Sequence, residues 1–505
     1  MRLYEKKKFV LTNTMSGKRE EFKPAHPPKV SYYSCGPTVY GALHIGNARA
    51  LIYADWMFRW LKHIGYEVNF VRNYTDVDDK IINRANQEKI SPTQVSEKYI
   101  EYCETDMKLL GLQSPVKTAL VTESIPDIIK TVEKIIANGH GYVVNGEVFF
   151  SVNSFNGYGK LSGKNVDELE AGARVEIDSK KKHPADFSLW KPHKPGEPFW
   201  ESPWSKGRPG WHIECSAMVM RWLGETIDLH HGGQDLIFPH HENEIAQSEA
   251  ATGKPFCAHW THHAFLTSGN EKMSKSLGNI LTTREFIEKY GAELLKFIYL
   301  SFHHRSSVPY TQDTMSQSLH ELERFYSAKK WAIEAAEAPV QAGANGEPFK
   351  ALAGAAVKLF DRIEDEMFMD LNTPGAMGHL FSFIRDVNRS ETQAAGKPGI
   401  SALSSPERQL VAQEFLELIE KKLYPLWNVF HDDPAAALKR IESIRRSMLK
   451  TQLPSDDELK QLLVDRAAAR QSKDFKRADE IRAKFDQCGL VIVDTPQGSS
   501  WKAKS

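Results

Sequence analysis

The stretch FPHHENEIA, residues 238–246, places two histidines and two glutamates directly after a proline. Proline is tolerated in the first turn of a helix, because its missing N–H group needs no partner there. If a helix begins at this proline, His240 and Glu244 lie one turn apart on the same face. An imidazole and a carboxylate that point the same way are suited to hold a metal ion, and further ligands must then come from other segments.

The histidine-rich region between residues 212 and 263 contains eight of the 19 histidines of the chain. The metalloprotease pattern H-E-x-x-H is absent from it, since Ile245 stands where the second histidine would be required. Candidate ligands must therefore come from separate segments, and they offer the sulfur, nitrogen and oxygen donors that zinc accepts. They are Cys35, Cys215, His240 and Glu244. The same residues are also consistent with buried cysteines that pack beside core histidines.

Two other clusters are suited to phosphate. CGPTVYGALHIGN, residues 35–47, follows a predicted strand and opens a predicted helix, where free backbone N–H groups and the helix dipole attract anions. EKMSKSLGN, residues 271–279, has two lysines around Ser274, and lysine acts as a point charge that can follow a leaving group. Taken separately, the first cluster is also consistent with a turn histidine that caps a helix, and the second with an ordinary solvated loop.

The elements that must position these clusters follow from hydrophobic periodicity. VSYYS (30–34) and VNFVRN (68–73) alternate like strands, and the stretch between them has the apolar spacing of a helix that stops at Gly65. Strand, helix and strand in that order predict a parallel unit of a Rossmann-type, doubly wound α/β sheet. The segment GYVVNGEVFFSV predicts a hairpin closed by Asn145-Gly146, and we expect it to belong to an insertion into the sheet domain.

With 505 residues, the chain is expected to form about two to four domains. The pattern is mostly helical from about 283 to 450, and the tail has two short basic helical patterns, a strand (GLVIVD) and a turn (TPQGSSW). We therefore expect a Rossmann-type catalytic domain, an α-helical bundle and a small mixed α/β domain. Their expected bounds are 1–310, with the insertion at about 115–205 and the lysine-rich loop at 271–279, then 311–452 and 453–505.

Composition narrows the class of protein. The chain is 41% hydrophobic and 26% charged, as expected of a globular protein, and its formal net charge of +0 means that nucleic acid would be bound by local basic patches. No apolar run approaches the roughly 18 residues of a membrane span, and the start lacks the apolar core of a signal peptide. Five scattered cysteines are too few for a disulfide framework, so we expect a cytoplasmic protein without a membrane partner.

Taken together, the clusters resemble those of class I aminoacyl-tRNA synthetases, through HIGN in place of HIGH and an intact KMSKS. Within that class the chain is similar to the cysteinyl-tRNA synthetase family over nearly its full length. Asn47 replaces the second histidine of HIGH, a usual variant, whereas His231 stands where the family typically has glycine. The similar segments are CGPTVYGALHIGNAR, NYTDVDDKII, GWHIECSAM, FPHHENEIAQSEA, EKMSKSLGN, DLNTPGA and DFKRADEIR…GLVIVDTPQGSSW.

The resemblance implies ATP-dependent ligation of L-cysteine to tRNA(Cys) through a cysteinyl-adenylate, with Mg²⁺ accompanying the ATP. It implies that His44 and Asn47 hold the α-phosphate side and that Lys272 and Lys275 gather the β- and γ-phosphates. The implied ATP contacts are Gly36, Thr38, Gly46, Asp235 and Lys275, and the implied amino-acid pocket is lined by Thr75, Trp211 and His230.

The resemblance also implies one zinc ion per chain, held by Cys35, Cys215, His240 and Glu244. Zinc binds a thiolate far better than a hydroxyl, so the ion would separate cysteine from serine without an editing domain. The bundle would receive the inner corner of the tRNA, the tail would meet the anticodon, and the enzyme is expected to act as a monomer. The tail residues proposed to contact tRNA are Arg470, Phe475, Asp479 and Asp494.

The nearest alternative is a ligase that activates cysteine identically but joins it to an amino sugar, as in the mycothiol pathway. Such an enzyme would keep all three clusters but has no need of an anticodon-reading tail, which is present here. A catalytically inactive tRNA-binding module would predict decay of HIGN or KMSKS, and neither is seen. A metallohydrolase would leave KMSKS unexplained.

Overall fold

The computed structural model describes seven stretches of the chain: 2–164, 179–268, 271–272, 281–396, 401–448, 454–495 and 498–503. Most of the lysine-rich loop expected at 271–279 lies outside the described residues, including Lys275 and the side chain of Lys272. Within the described part, every helix is too short or too polar to span a lipid bilayer.

A five-stranded parallel sheet forms the centre of the catalytic part. The third strand in space, Lys29–Ser34, is the first of the five along the chain, and the order reverses between it and its neighbour Ile227–Gly233. This confirms the predicted doubly wound sheet, in which ligands bind at the carboxyl ends of the strands where the order reverses. Across the sheet the strands are Cys257–His263, Ile227–Gly233, Lys29–Ser34, Glu67–Tyr74 and Lys117–Leu120.

The crossover helix Ile45–His63 begins at the cluster expected to bind phosphate. His44 is its N-cap: the His44 ring accepts a bond from the Asn47 backbone N–H, and the Asn47 side chain accepts one from the His44 backbone N–H. This reciprocal pair fixes where the helix starts. The helix ends as predicted, because Gly65 adopts φ +106°, a conformation that favours glycine.

The predicted hairpin is present, with Asn145 and Gly146 both at positive φ (52° and 79°), as its two-residue turn requires. It belongs to a four-stranded antiparallel sheet separate from the parallel one. The expected start of the insertion, at about 115, is wrong: Lys117–Leu120 pairs in parallel with the central sheet, and its four residues are too few for an alternation to be read. The strands of the antiparallel sheet are Gly141–Val144, Glu147–Phe150, Phe187–Pro192 and Gly207–Pro209.

Helices dominate after residue 283, as predicted. In the catalytic part the helices are Leu3–Lys6, Ile45–His63, Asp79–Glu88, Pro92–Leu110, Ile125–Ala137, Trp211–Trp222, Glu242–Thr252, Thr283–Tyr290 and Ala292–Leu300. Those that follow are Gln312–Glu337, Glu347–Val357, Leu359–Phe368, Thr373–Ala395, Pro406–Leu418, Tyr424–Trp427, Pro434–Met448, Asp456–Gln471 and Phe475–Gln487. The short strands outside the two larger sheets are Val10–Asn13, Lys18–Glu21, Leu266–Ser268, Glu271–Lys272 and Val308–Pro309.

The tail ends in a two-stranded hairpin rather than in the predicted strand and turn. Gly498–Ala503 pairs antiparallel with Leu490–Thr495, so most of TPQGSSW is strand. Serine and glycine are weak strand formers, and tertiary packing overrides them here, because the Trp501 ring lies 6.2 Å from that of Phe485. Residues 496 and 497 lie outside the described residues.

Buried polar contacts join the catalytic part to the helices beyond it. Asp370, which is fully buried, accepts bonds from the Thr12 backbone N–H (2.8 Å) and the Thr12 hydroxyl (2.5 Å). The buried Lys296 ammonium donates to the carbonyls of Leu110 (3.1 Å) and Asn428 (2.5 Å). Buried charges are retained only when paired or hydrogen-bonded, so these contacts fix the two parts against each other.

Candidate active site

A cavity of about 510 Å³ opens at the carboxyl ends of the strands where the sheet order reverses. Its wall includes Cys35 and Cys215 as well as His44 and Asn47 at the start of the crossover helix. The expected site residues on its wall are Cys35, Gly36, Thr38, His44, Gly46, Asn47, Thr75, Trp211, Cys215, Asp235 and His240. Two of the three sequence clusters, the expected metal ligands and CGPTVYGALHIGN, therefore meet in one cavity.

Three elements bring the expected metal ligands together. Cys35 follows the strand Lys29–Ser34, Cys215 lies on the helix Trp211–Trp222, and His240 and Glu244 straddle the start of the helix Glu242–Thr252. Their ligand atoms all lie within 4.8 Å of one another, and all four residues are buried. The individual distances are 4.0 Å between Cys35 Sγ and Cys215 Sγ, 3.5 Å between Cys35 Sγ and Glu244 Oε1, and 2.9 Å between His240 Nε2 and Glu244 Oε1.

The protonation of each residue in this set depends on the charges of the others. Burial opposes ionisation of Glu244, but the charges and hydrogen bonds of His230 and His240 lower its pKa to about 2. Burial also opposes the charged form of His240, yet Glu244 and Cys215 raise its pKa to about 10. A hydrogen bond from Cys35 lowers the pKa of Cys215 to about 6, whereas burial raises the pKa of Cys35. The Glu244 carboxylate and the His240 imidazole therefore stabilise each other's charged forms beside the Cys215 sulfur, and a divalent cation bound here would displace a proton from the imidazole.

Outer partners orient the ligands. His212 Nδ1 lies 2.9 Å from His240 Nδ1, and His230 Nε2 lies 2.8 Å from Glu244 Oε2. Metal-binding histidines and carboxylates usually have such partners, which fix ring orientation and tautomer. His230 was expected to line the amino-acid pocket, but it is fully buried behind Glu244 and is not on the cavity wall.

A second donor set overlaps the first and was not anticipated. His230 and His241 lie with Cys35 and Glu244 in a group whose ligand atoms are also within 4.8 Å of one another. His241 Nε2 is 3.4 Å from Cys35 Sγ, and its other nitrogen is 2.7 Å from His262 Nε2. The doubled histidine in FPHHE was the available signal for His241, whereas nothing local in the sequence indicated the contact with His262.

Two glycines in the segment expected to bind phosphate lie very close to neighbouring atoms. A Cβ atom on Gly36 would overlap the carbonyl oxygen of Asn73, so only glycine fits there. A Cβ atom on Gly46 would lie 3.0 Å from the His44 ring. In the first turn of the helix Ile45–His63, the Ile45 N–H donates to the Leu281 carbonyl and the Asn47 N–H to the His44 ring. The Gly46 N–H and the positive end of the helix dipole are what this end offers to an anion.

Arg49, on the same helix, is almost fully buried. Its guanidinium donates to five backbone carbonyls over 2.5–3.3 Å: Nη1 to Ala264 and Phe265, and Nη2 to His303, His304 and Ser306. The planar, fixed arrangement of the guanidinium donors suits this set of acceptors. The first turns of the helix are thus attached to the segment that leads into the lysine-rich loop.

The expected amino-acid pocket lies between the two ends. The Trp211 ring stacks on that of His240 with centroids 4.5 Å apart, and Trp211 remains 36% exposed toward the cavity. The Thr75 hydroxyl donates to Glu214 (3.2 Å), and burial raises the pKa of Glu214. Thr75 and Trp211 therefore form walls beside the thiol groups.

The tail residues expected to contact tRNA differ in exposure and in hydrogen bonding. Phe475 is 63% exposed, and Arg470 and Asp479 are exposed. Asp494 is engaged: its two oxygens accept bonds from Arg466 at 2.8 and 2.9 Å and a further bond from Arg470 at 3.0 Å. This carboxylate holds the helix Asp456–Gln471 to the terminal hairpin, so any contact with a base would share it with Arg466 and Arg470.

Comparisons with known proteins agree with this arrangement. Residues 21–320 match the model of the tRNA synthetases class I (C) catalytic domain, and residues 362–423 match the DALR domain. The cysteine–tRNA ligase of Geobacter metallireducens is 45% identical over 495 residues, covering 97% of this chain and 99% of the relative. That of Geobacter sulfurreducens is 46% identical over 492 residues, with the same coverage.

Solved structures show the same fold at low sequence identity. A Mycobacterium tuberculosis methionyl-tRNA synthetase in complex with methionyl-adenylate superimposes with a TM-score of 0.59 at 15% identity, covering 82% of this chain and 93% of that one. A putative arginyl-tRNA synthetase from Campylobacter jejuni gives 0.55 at 12% identity, covering 80% and 94%. With a catalytic-domain match over more than half of the chain and near full-length relatives, this chain belongs to the class I aminoacyl-tRNA synthetases, in the family of the cysteine–tRNA ligases.

Proposed function

We propose that this chain joins L-cysteine to tRNA(Cys) in an ATP-dependent reaction that passes through a cysteinyl-adenylate. The observation that carries the proposal is that residues of the thiol-rich donor set and the N-terminus of the helix Ile45–His63 line one cavity. A substrate with a sulfur atom and a carboxylate would place its sulfur at the donor set and its carboxylate toward a phosphate at the helix N-terminus.

The curated relatives favour tRNA over an amino sugar as the acceptor. They are cysteine–tRNA ligases, and the matches cover 97% of this chain. An alignment of that extent includes most of the tail, which a cysteine:amino-sugar ligase would not need. The DALR match at 362–423 adds a helical module outside the catalytic domain.

In the activation step, the cysteine carboxylate attacks the α-phosphate of ATP, and pyrophosphate leaves. Phosphoryl transfer requires little covalent participation from the protein, so positioning and charge stabilisation dominate. His44, Gly46 and Asn47 would place the α-phosphate against the N-terminus of their helix. Lys272 and Lys275 would gather the β- and γ-phosphates, with Mg²⁺ accompanying ATP; Lys275 is the residue on which we expect this step to depend most.

We further propose that Cys35, Cys215, His240 and Glu244 hold one zinc ion. Two thiols, one imidazole and one carboxylate are a donor set that zinc accepts, and their ligand atoms are within 4.8 Å of one another. When bound, the ion would take the substrate sulfur as a thiolate and so discriminate against the serine hydroxyl. His212 and His230 would hold His240 and Glu244 in the ligating orientation.

For the transfer step, the helical region 311–452 would receive the inner corner of the tRNA and the tail 453–505 its anticodon. The exposed Phe475 and Arg470 offer a ring for stacking and a cation for phosphate. We propose that the enzyme works in the cytoplasm as a monomer.

One assay tests the proposed function. ATP–pyrophosphate exchange is measured with each of the 20 amino acids, and we expect exchange with cysteine alone. Serine is the matched control, because it is nearly isosteric with cysteine. Aminoacylation of tRNA(Cys) is then compared with ligation to glucosaminyl inositol. Exchange without cysteine dependence would contradict the activation step, and ligation to the sugar but not to tRNA would contradict the acceptor.

A further inference from the structure

Two buried histidines on neighbouring strands form a hydrogen-bonded pair at the edge of the cavity. His231 Nε2 lies 3.0 Å from His263 Nδ1, and His231 Nδ1 lies 3.0 Å from the hydroxyl oxygen of Ser34. The ring of Tyr53 packs against His231 with centroids 4.8 Å apart. His231 is therefore held on three sides, and it in turn holds one nitrogen of His263.

The His263 ring is neutral in this environment, because burial lowers its pKa to about 3. A neutral imidazole has one donor and one acceptor nitrogen, so the bond between the two rings fixes which nitrogen of His263 points inward. A half-turn of the His263 ring would break that bond, so the opposite edge, Cε1 and Nε2, is held away from His231. A hydrogen bond with the Gly232 backbone also holds the ring.

This edge lies beside a space that the phosphate and thiol ends leave open. His263 lines the cavity together with Gly233 and Asp235, at the carboxyl ends of the two strands. A Cβ atom on Gly233 would lie 3.6 Å from His263 Cε1 and 2.5 Å from Asp235 Oδ1, so the glycine keeps this space clear. With phosphate at the His44 helix and sulfur at the thiol set, the strand ends are where the nucleoside of ATP fits.

We propose that His263 binds the nucleoside part of ATP and that His231 is a positioning residue that acts through it, an inference that rests on the proposed function. His263 would offer one neutral hydrogen-bonding nitrogen to the ribose or the base, next to the Asp235 carboxylate. An uncharged partner suits this part of ATP, since the negative charge of the nucleotide lies on the phosphates.

The test separates ATP binding from general stability. His263→Ala removes the proposed contact, and His231→Leu keeps volume but removes the bond to His263. His231→Gln is the conservative variant, since its terminal amide can occupy the place of the lost Nε2. His259→Ala is the matched control: His259 lies on the same strand, packs against Phe22 and is not on the cavity wall.

The measurements are KM for ATP and KM for cysteine in pyrophosphate exchange. We expect His263→Ala and His231→Leu to raise KM for ATP about two- to tenfold, the range for one lost hydrogen bond, with KM for cysteine unchanged. His231→Gln should restore most of the loss, and the double variant should be no worse than His263→Ala. Variants that fold poorly are compared by equilibrium binding of a non-hydrolysable ATP analogue, with circular dichroism as the check on folding.

Three results would overturn the inference. One is an unchanged KM for ATP in folded His263→Ala, and another is an equal rise in KM for cysteine. The third is additivity of the two substitutions, which would mean that His231 does not act through His263. Wild-type exchange is recorded first, so that an absence of cysteine-dependent exchange is seen as failure of the proposed function, separately from these results.

Discussion

Replacing His212 by phenylalanine tests whether the outer partners of the proposed zinc site matter. The ring is retained against Phe187, whose centroid is 5.7 Å away, while the nitrogen 2.9 Å from His240 Nδ1 is lost. Loss of an outer hydrogen-bonding partner typically weakens metal binding by about 10- to 100-fold. That range corresponds to about 1.4–2.8 kcal/mol, since each tenfold step is about 1.4 kcal/mol.

The assay is competition for zinc between the purified protein and a chelator of known affinity, with zinc content measured by elemental analysis. We expect one zinc per chain in the wild type, a weaker but measurable site in His212→Phe, and loss of most of the zinc in Cys215→Ser. His259→Phe is the control, because that buried histidine lies outside the donor sets that the described residues form. Wild-type affinity in His212→Phe would refute the argument for orientation, and full zinc retention in Cys215→Ser would refute the ligand set.

Three further outcomes are expected. Lys275→Ala should lower kcat for ATP–pyrophosphate exchange far more than it weakens cysteine binding, and a near wild-type kcat would contradict its role as the transition-state cation. Deletion after Pro454 should leave ATP–pyrophosphate exchange largely intact but sharply reduce tRNA charging. It should also flatten the salt dependence of tRNA binding by about 0.7–0.9 in log–log slope per lost phosphate contact. Full charging by a truncated protein that circular dichroism shows to be folded would contradict this. Asp494→Asn should lower the thermal midpoint of the tail, because Arg466 loses its bidentate partner, whereas the exposed Asp479→Asn should not; equal midpoints would contradict the anchoring role.

Local features of the fold were predictable where the residue pattern of one segment alone determines its structure. The strands around residues 30–34 and 68–73, the helix between them and the Asn145-Gly146 turn each follow from periodicity or from one dipeptide. The edge strand Lys117–Leu120 was missed, because four residues are too few to show an alternating pattern and the segment is a strand only through its pairing with Glu67–Tyr74.

The candidate site was predictable to the extent that residue chemistry alone identifies ligands. Sulfur, nitrogen and oxygen donors at Cys35, Cys215, His240 and Glu244 were expected, and the structure brings them together. The position of His230 behind Glu244 could not be read from the sequence, because it depends on which strands are neighbours in the sheet. Contacts between histidines on different strands depend on strand register, which cannot be read from a single sequence.

The attachment of Arg49 to backbone carbonyls has an evolutionary consequence. All five acceptors are main-chain atoms, at residues 264, 265, 303, 304 and 306, so side chains at those positions can drift without breaking the attachment. The arginine itself has no such freedom, since lysine has only three donors and no planar fork. Homologous segments that follow the same main-chain course should therefore be interchangeable by grafting, with the attachment to the crossover helix preserved.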